Sequence, residues 1–262
     1  MQRKLLAAFA VAALAMQCAT AGTANATLSN IQVTLIDLDP NDGIDPWVTF
    51  DVASQAVATH LPDDHYPVGF APVNGAAPFA PVSATTSSPL FDASATLVGN
   101  PFGSGATASA YSRNDLLLHA VGIDAVLAQV FLGGTLPPDV NFQLSPNTEM
   151  VVSGTADLEA DARGTLHMIS TASAFLMFTG NALPSEGGMF REAAPNQTSS
   201  WIGDISASFT NSTASALGGG FEGMVQTDVI ALVPEPASPA LFGAGALVFA
   251  FACRRRLSGR RA

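Results

Sequence analysis

Residues 201–210 read Trp-Ile-Gly-Asp-Ile-Ser-Ala-Ser-Phe-Thr. Trp201, Gly203, Ile205, Ala207 and Phe209 fall on one side of an extended chain, with Ile202, Asp204, Ser206, Ser208 and Thr210 on the other. Successive side chains of a strand point to opposite faces, so this period of two is a strand buried on one side and wet on the other. Residues 221–233 repeat the device, with Val225, Val229, Ala231 and Val233 opposite Gln226 and Asp228. Leu28–Leu38 does so again, with Ile31, Val33 and Leu35 against Gln32 and Thr34.

Working outward, Trp47–Val52 follows a turn at Asp39–Gly43 and reads as the hairpin partner of the Leu28–Leu38 strand. Shorter strands are expected over 90–98, 106–111, 149–158 and 164–178. Residues 116–132 are long enough for a helix, but Gly122 and the β-branched residues favour two strands around a turn. Six prolines between Leu61 and Pro89 allow edge strands at most there. Residues 181–197, broken by glycine and proline, are expected as a long loop. Many strands with one polar face predict an all-β fold, an antiparallel β-sandwich of jelly-roll-like winding.

The two ends of the chain differ from this middle. Arg3 and Lys4 precede an apolar run over 5–15, followed by small residues ending Ala24-Asn25-Ala26. That is the layout of a secretory signal peptide, expected as a helix, with cleavage placed after Ala26 and Ala21 as the second choice. At the other end, Val233-Pro234-Glu235-Pro236 leads into an uncharged run over 237–253 and then Arg254-Arg255-Arg256. As a helix that run spans roughly 25 Å, a short transmembrane anchor whose arginines act as a stop-transfer signal. Two prolines hold the peptide before it extended and accessible. The expected division is therefore 1–26 signal peptide, 27–233 exported domain and 234–262 tail.

Those tail residues resemble the PEP-CTERM sorting signal: Val-Pro-Glu-Pro, a short helix rich in Gly, Ala and Leu, and an arginine cluster at the C-terminus. The resemblance covers about thirty residues. It implies export by a Gram-negative bacterium, processing by an exosortase at Pro234, Glu235 and Pro236, and delivery to the cell surface or extracellular matrix. Residues 31–43 and 142–155 are also similar to segments of other PEP-CTERM ectodomains.

Charge limits what the middle can bind. Between the targeting ends stand three arginines (Arg113, Arg163, Arg191) and twenty of the 21 acidic residues, a net charge of −17 against −11 for the whole chain. Such a domain repels nucleic acid and anionic lipid and attracts cations. Both cysteines, Cys18 and Cys253, lie in the targeting ends, so no disulfide supports the domain.

Candidate chemistry is sparse. Asp37, Asp39, Asn41, Asp42 and Asp45 crowd oxygen ligands around Gly43, the donor type Ca²⁺ takes. The spacing opens like an EF-hand loop and departs at Asp42, where the glycine belongs, and at Val48, where the glutamate belongs. A polar turn accounts for the same residues. His60, Asp63, Asp64 and His65 are of zinc-ligand type on a proline-broken loop, whereas His119 and His167 stand alone on apolar segments. No Gly-x-Ser-x-Gly elbow occurs. Glu149, Asp157, Glu159 and Asp161 are the carboxylates from which a glycosidase pair would be drawn, and Trp47 and Trp201 the candidates for sugar stacking.

The reading that follows is a non-enzymatic exported surface or matrix protein with no cofactor except Ca²⁺ at the acidic turn. Its partners are an exosortase, exopolysaccharide and the membrane, the last through the C-terminal helix. A carbohydrate-binding module is the alternative, and a secreted glycoside hydrolase a further one.

Overall fold

The computed structural model describes residues 21–61, 72–115, 123–132, 140–165, 168–180 and 185–232. Among them the chain is all-β, with antiparallel pairing throughout and no helix. Numbered in chain order, one sheet runs β13 (Thr198–Asn211), β10 (Thr148–Asp161), β1 (Gly22–Asp37), β7 (Gly105–Asn114), β6 (Phe91–Asn100) and β5 (Val82–Ser88). The other runs β12 (Ser185–Ala193), β11 (Met168–Thr179), β14 (Leu217–Leu232), β8 (Ile123–Phe131), β3 (Gln55–Leu61) and β4 (Val73–Asn74). Two short strands, β2 (Val48–Phe50) and β9 (Phe142–Leu144), pair with each other, and β9 pairs with the start of β14.

The two sheets curl and enclose one core between them. The alternation read from the sequence places the right side chains there: Ile205, Ala207 and Phe209 from β13, and Val225, Val229 and Ala231 from β14, are buried. The core is graded along its length. One half is lined by alanines, among them Ala24, Ala26, Ala93, Ala110, Ala156 and Ala160. The other is filled by Phe142, Phe178, Phe209 and Phe221, with ring centroids 5.0 Å apart for Phe142–Phe209 and for Phe178–Phe221. Within the alanine half, Ser112 Oγ on β7 lies 2.8 Å from Thr227 Oγ1 on β14, a hydrogen bond from sheet to sheet. Such a bond requires the backbones to approach within reach of two short side chains.

β1 bends where Asn30 adopts φ 53° and the register shifts on both of its neighbours. An extra residue of this kind is a bulge, and it increases the local twist. Asparagine tolerates the left-handed region better than most residues.

Several expectations are corrected. Val48–Phe50 is not the hairpin partner of the first strand, because β10 and β7 already occupy both edges of β1. It pairs with β9 instead, and Ser145 helps set that register: its Oγ accepts from the Trp47 amide at 2.8 Å and its amide donates to Trp47 O. Residues 185–193 form β12 rather than loop, since Gly187 and Gly188 serve close approach instead of breaking the chain. A side chain at Gly187 would run into the backbone of Ser206 on β13, so here the two sheets meet at a corner. The winding also differs from a jelly roll, whose strands form two Greek keys. β5, β6 and β7 make a meander within one sheet, and β11 and β12 a hairpin within the other. Residues 1–20 of the expected signal peptide, the expected transmembrane helix, Val233 and the turn proposed around Gly122 lie outside the described residues, whereas Gly22–Ala26, expected as the end of the signal peptide, are the start of β1.

The β12–β13 corner yields a test. Gly187→Ala is expected to lower stability by about 2–4 kcal/mol, because the obstacle is backbone that cannot rotate away. Gly103→Ala, which meets only Asn100 Nδ2 at 3.9 Å, is expected to change it by under about 0.5 kcal/mol. Equal denaturant midpoints for the two variants would show that the corner is not tightly packed.

Candidate functional site

β1 enters and β14 leaves the fold at the same pole. The Gly22 amide donates to Met168 Sδ at 3.2 Å, and Met168 is paired with Ala231, one residue before β14 ends at Leu232. The start of β1 and the end of β14 therefore lie side by side. Only Val233 separates the last strand from Pro234-Glu235-Pro236. Those three residues and Arg254, Arg255 and Arg256 lie outside the described residues.

The acidic turn and Trp47 stand at the opposite pole, beyond the far end of β1. Its carboxylates are largely engaged by backbone. Asp37 Oδ1 accepts from the Asp39 amide at 2.9 Å, Asp39 Oδ1 from Asn41 at 3.3 Å and Asp42 Oδ1 from Ile44 at 2.8 Å. Asn147 Nδ2 donates to Asp42 Oδ2 at 2.8 Å, and these two contacts hold the Asp42 carboxyl below its ordinary range. Asp45 is exposed. Among the described residues, no three His, Cys, Asp or Glu side chains converge on a point where a metal would sit. What the arrangement shows is a chain of side-chain-capped turns.

The two tryptophans lie at different ends of the molecule. Trp47 is 39 % exposed beside the acidic turn. Trp201 faces inward from the beginning of β13, packs against the core, and has the Arg191 guanidinium 6.0 Å from its ring centroid. No single stacking platform joins them. Asp157 and Glu159 lie exposed on the outer face of β10, and Glu149 half-exposed further along the same face. Asp161 is tied to Arg163 at 2.6 Å, and that hydrogen bond lowers its pKa. His60 stacks on Phe91 with centroids 4.2 Å apart, while Asp63, Asp64, His65, His119 and His167 lie outside the described residues.

Sequence reasoning passed over one concavity. On the outer face of the second sheet, Phe175 and Met177 of β11, Phe190 of β12 and Glu222 of β14 line an open hollow of about 650 Å³. Phe190 is 54 % exposed, and burial raises the Glu222 pKa. Gly188 keeps the floor low: a Cβ there would strike Phe175 Cβ. The residues come from three strands, so no local pattern in the chain announces the hollow.

What the architecture defines is an acidic all-β domain in which the first and last strands meet at one pole, and the sequence Val233-Pro234-Glu235-Pro236 follows the last strand at once. Residues 232–256 match the PEP-CTERM protein-sorting motif. The tail is thus a sorting signal of the kind exosortases process, carried by exported proteins destined for the cell surface. No curated protein and no solved structure matches the chain.

One titratable group is out of place. Asp228 lies on the outer face of β14 between Thr171 and Leu127, with Oδ1 buried and without a hydrogen-bond partner. Burial pushes its pKa up to about 6, and only the Val229 amide opposes the rise. A carboxyl whose folded pKa exceeds its unfolded value contributes stability that is complete below the unfolded pKa and is lost as pH rises through the folded one. The window here runs from about pH 4 to about pH 6. Asp228→Asn is accordingly expected to be more stable than the parent by about 2 kcal/mol at pH 8 and equal to it at pH 3.5. Paired thermal melts across that range check the sign, and a gap that widens on acidification would refute it.

Proposed function

We propose that the chain is a non-enzymatic envelope protein of a Gram-negative bacterium. Its acidic β domain crosses the inner membrane, is held briefly by its tail, and is released by exosortase to the surface or extracellular matrix. The observation that carries this is the motif match, which begins at the residue where the last core strand ends. With Val233 as the only spacer, the exosortase works directly beneath the pole from which both chain ends emerge. Arginines at both outer ends of the chain, Arg3 with Lys4 and Arg254–Arg256, favour the same cytoplasmic side. Two chain ends at one pole suit a domain that hangs from the membrane by both targeting segments.

Once exported, a domain with a net charge of −17 meets neutral and anionic polysaccharide in the matrix. Divalent cations, Ca²⁺ first among them, would bridge its carboxylates to an acidic polymer. That bridging calls for many exposed carboxylates and no single built site.

A second reading, carbohydrate binding, is favoured by the hollow of Phe175, Phe190 and Glu222, which offers two aromatic faces beside a carboxyl group. Apolar faces with a few polar groups are the general make-up of small-ligand sites. Phe190→Ala, at an exposed position, is expected to weaken glycan retention about tenfold without lowering the melting temperature. Unaltered retention would remove the hollow from consideration.

The sorting proposal is tested in the host. Glu235→Ala, or loss of the exosortase, is expected to leave full-length protein in the inner-membrane fraction and to deplete the surface fraction about tenfold or more. Mature-length protein on the surface of both strains would overturn it.

A further inference from the structure

We infer that the leader is removed between Ala21 and Gly22, making Gly22 the first residue of the mature chain. The inference rests on the export reading above and places the start of the exported domain five residues ahead of Thr27. Two triplets with small residues at the positions a leader peptidase grips occur here, Ala19-Thr20-Ala21 and Ala24-Asn25-Ala26. By sequence the second is the first choice. By structure the order is reversed.

Gly22–Ala26 is the first third of β1, an interior strand of the six-stranded sheet. On one side it pairs with β7, from Gly22↔Asn114 to Ala26↔Ala110. On the other it pairs with β10, from Thr23↔Asp161 to Ala26↔Leu158. Ala24 and Ala26 are 1 % and 0 % exposed. A cut after Ala26 would open a slot between β7 and β10 and strip partners from ladder groups on both flanks. Buried backbone groups without partners are strongly disfavoured.

Gly22 is itself fitted to its place. A Cβ there would lie 2.8 Å from Val229 Cγ1 and 3.0 Å from Met168 Sδ on the facing sheet, so any side chain would require both to shift. Ala21, half-exposed and outside the strand, is the first residue the fold does not need. A cut on its carboxyl side leaves every pairing of β1 intact. Of the two triplets, it is Ala24-Asn25-Ala26 that lies within the strand.

The experiment is N-terminal sequencing and intact-mass measurement of the full chain expressed in an export-competent Gram-negative host. Gly22 as the first residue is the expected result, and Thr27 overturns the assignment. Retention of Met1 would overturn the export reading and this inference with it, so the two failures are distinguishable. In the same host, Ala21→Leu is expected to accumulate the uncleaved form, whereas Ala26→Leu should still be cut at Gly22. The reverse pattern refutes the site. Chains made without a leader give an independent check: one beginning at Gly22 should melt cooperatively, and one beginning at Thr27 should melt about 10 °C lower or not fold. Equal melting temperatures would remove the structural basis of the assignment.

Discussion

The closeness of the two sheets in their alanine-lined half is the constraint on which the rest of this structure depends. Ser112 of β7 reaches the hydroxyl of Thr227 on β14 at 2.8 Å, and Asn114 Nδ2 lies 3.5 Å from Val229 O. Neither bond could span a gap lined by leucines. Alanines at 24, 26, 93, 110, 156 and 160 make the approach, and each contributes little apolar area. Compensation comes from the far half, where Phe142 meets Phe178 and Phe209 edge to face and Phe178 packs tilted against Phe209 and Phe221, an arrangement that adds to simple area burial. Without a disulfide in the domain, this division between a tight hydrogen-bonded end and a bulky aromatic end carries the fold.

The same closeness manages the sheet edges. Exposed strand edges invite pairing between molecules. Here Gly187 brings β12 against the backbone of β13 at one corner. At the other, Ser54 donates to Ala80 O at 2.6 Å, and His60 of β3 stacks on Phe91 of β6. Both long sides are thereby partly closed. The outer faces of β1, β7 and β10 carry mainly hydroxyl, amide and carboxylate groups, among them Thr27, Ser109 and Asp157, side by side in one register row. An exterior of this kind, joined to a strongly negative charge, keeps copies of the domain apart.

How far the chain could be read in advance depended on whether each signal was local. The alternation in 201–210 and 221–233 survived because every second residue meets the same core, and the sorting tail was legible because its parts are contiguous. β2 was assigned to the wrong partner because its true one, Phe142–Leu144, lies more than ninety residues away and leaves no mark near Val48. β12 was missed because Gly187 and Gly188 look like chain breakers, although their lack of a side chain is what admits Ser206 and Phe175. The start of β1 was hidden for a related reason. Gly-Thr-Ala-Asn-Ala has the small residues of a leader's end, and only the pairing with β7 and β10 shows why a crowded sheet centre selects the same residues. Asp228 looked like any outward polar residue of an alternating strand, since its burial is set by neighbours on other strands.

The meeting of the first and last strands at one pole has a mechanical side. A pull on Leu232 against the opposite pole loads β14 along its own axis. β14 is flanked on both sides, by β11 and by β8. Its ladder bonds lie across the direction of pull, so they are strained together in shear instead of being peeled apart one pair after another. A domain loaded in this way gives way only when many bonds fail at once, because the strand that precedes the sorting tail is an interior strand of its sheet.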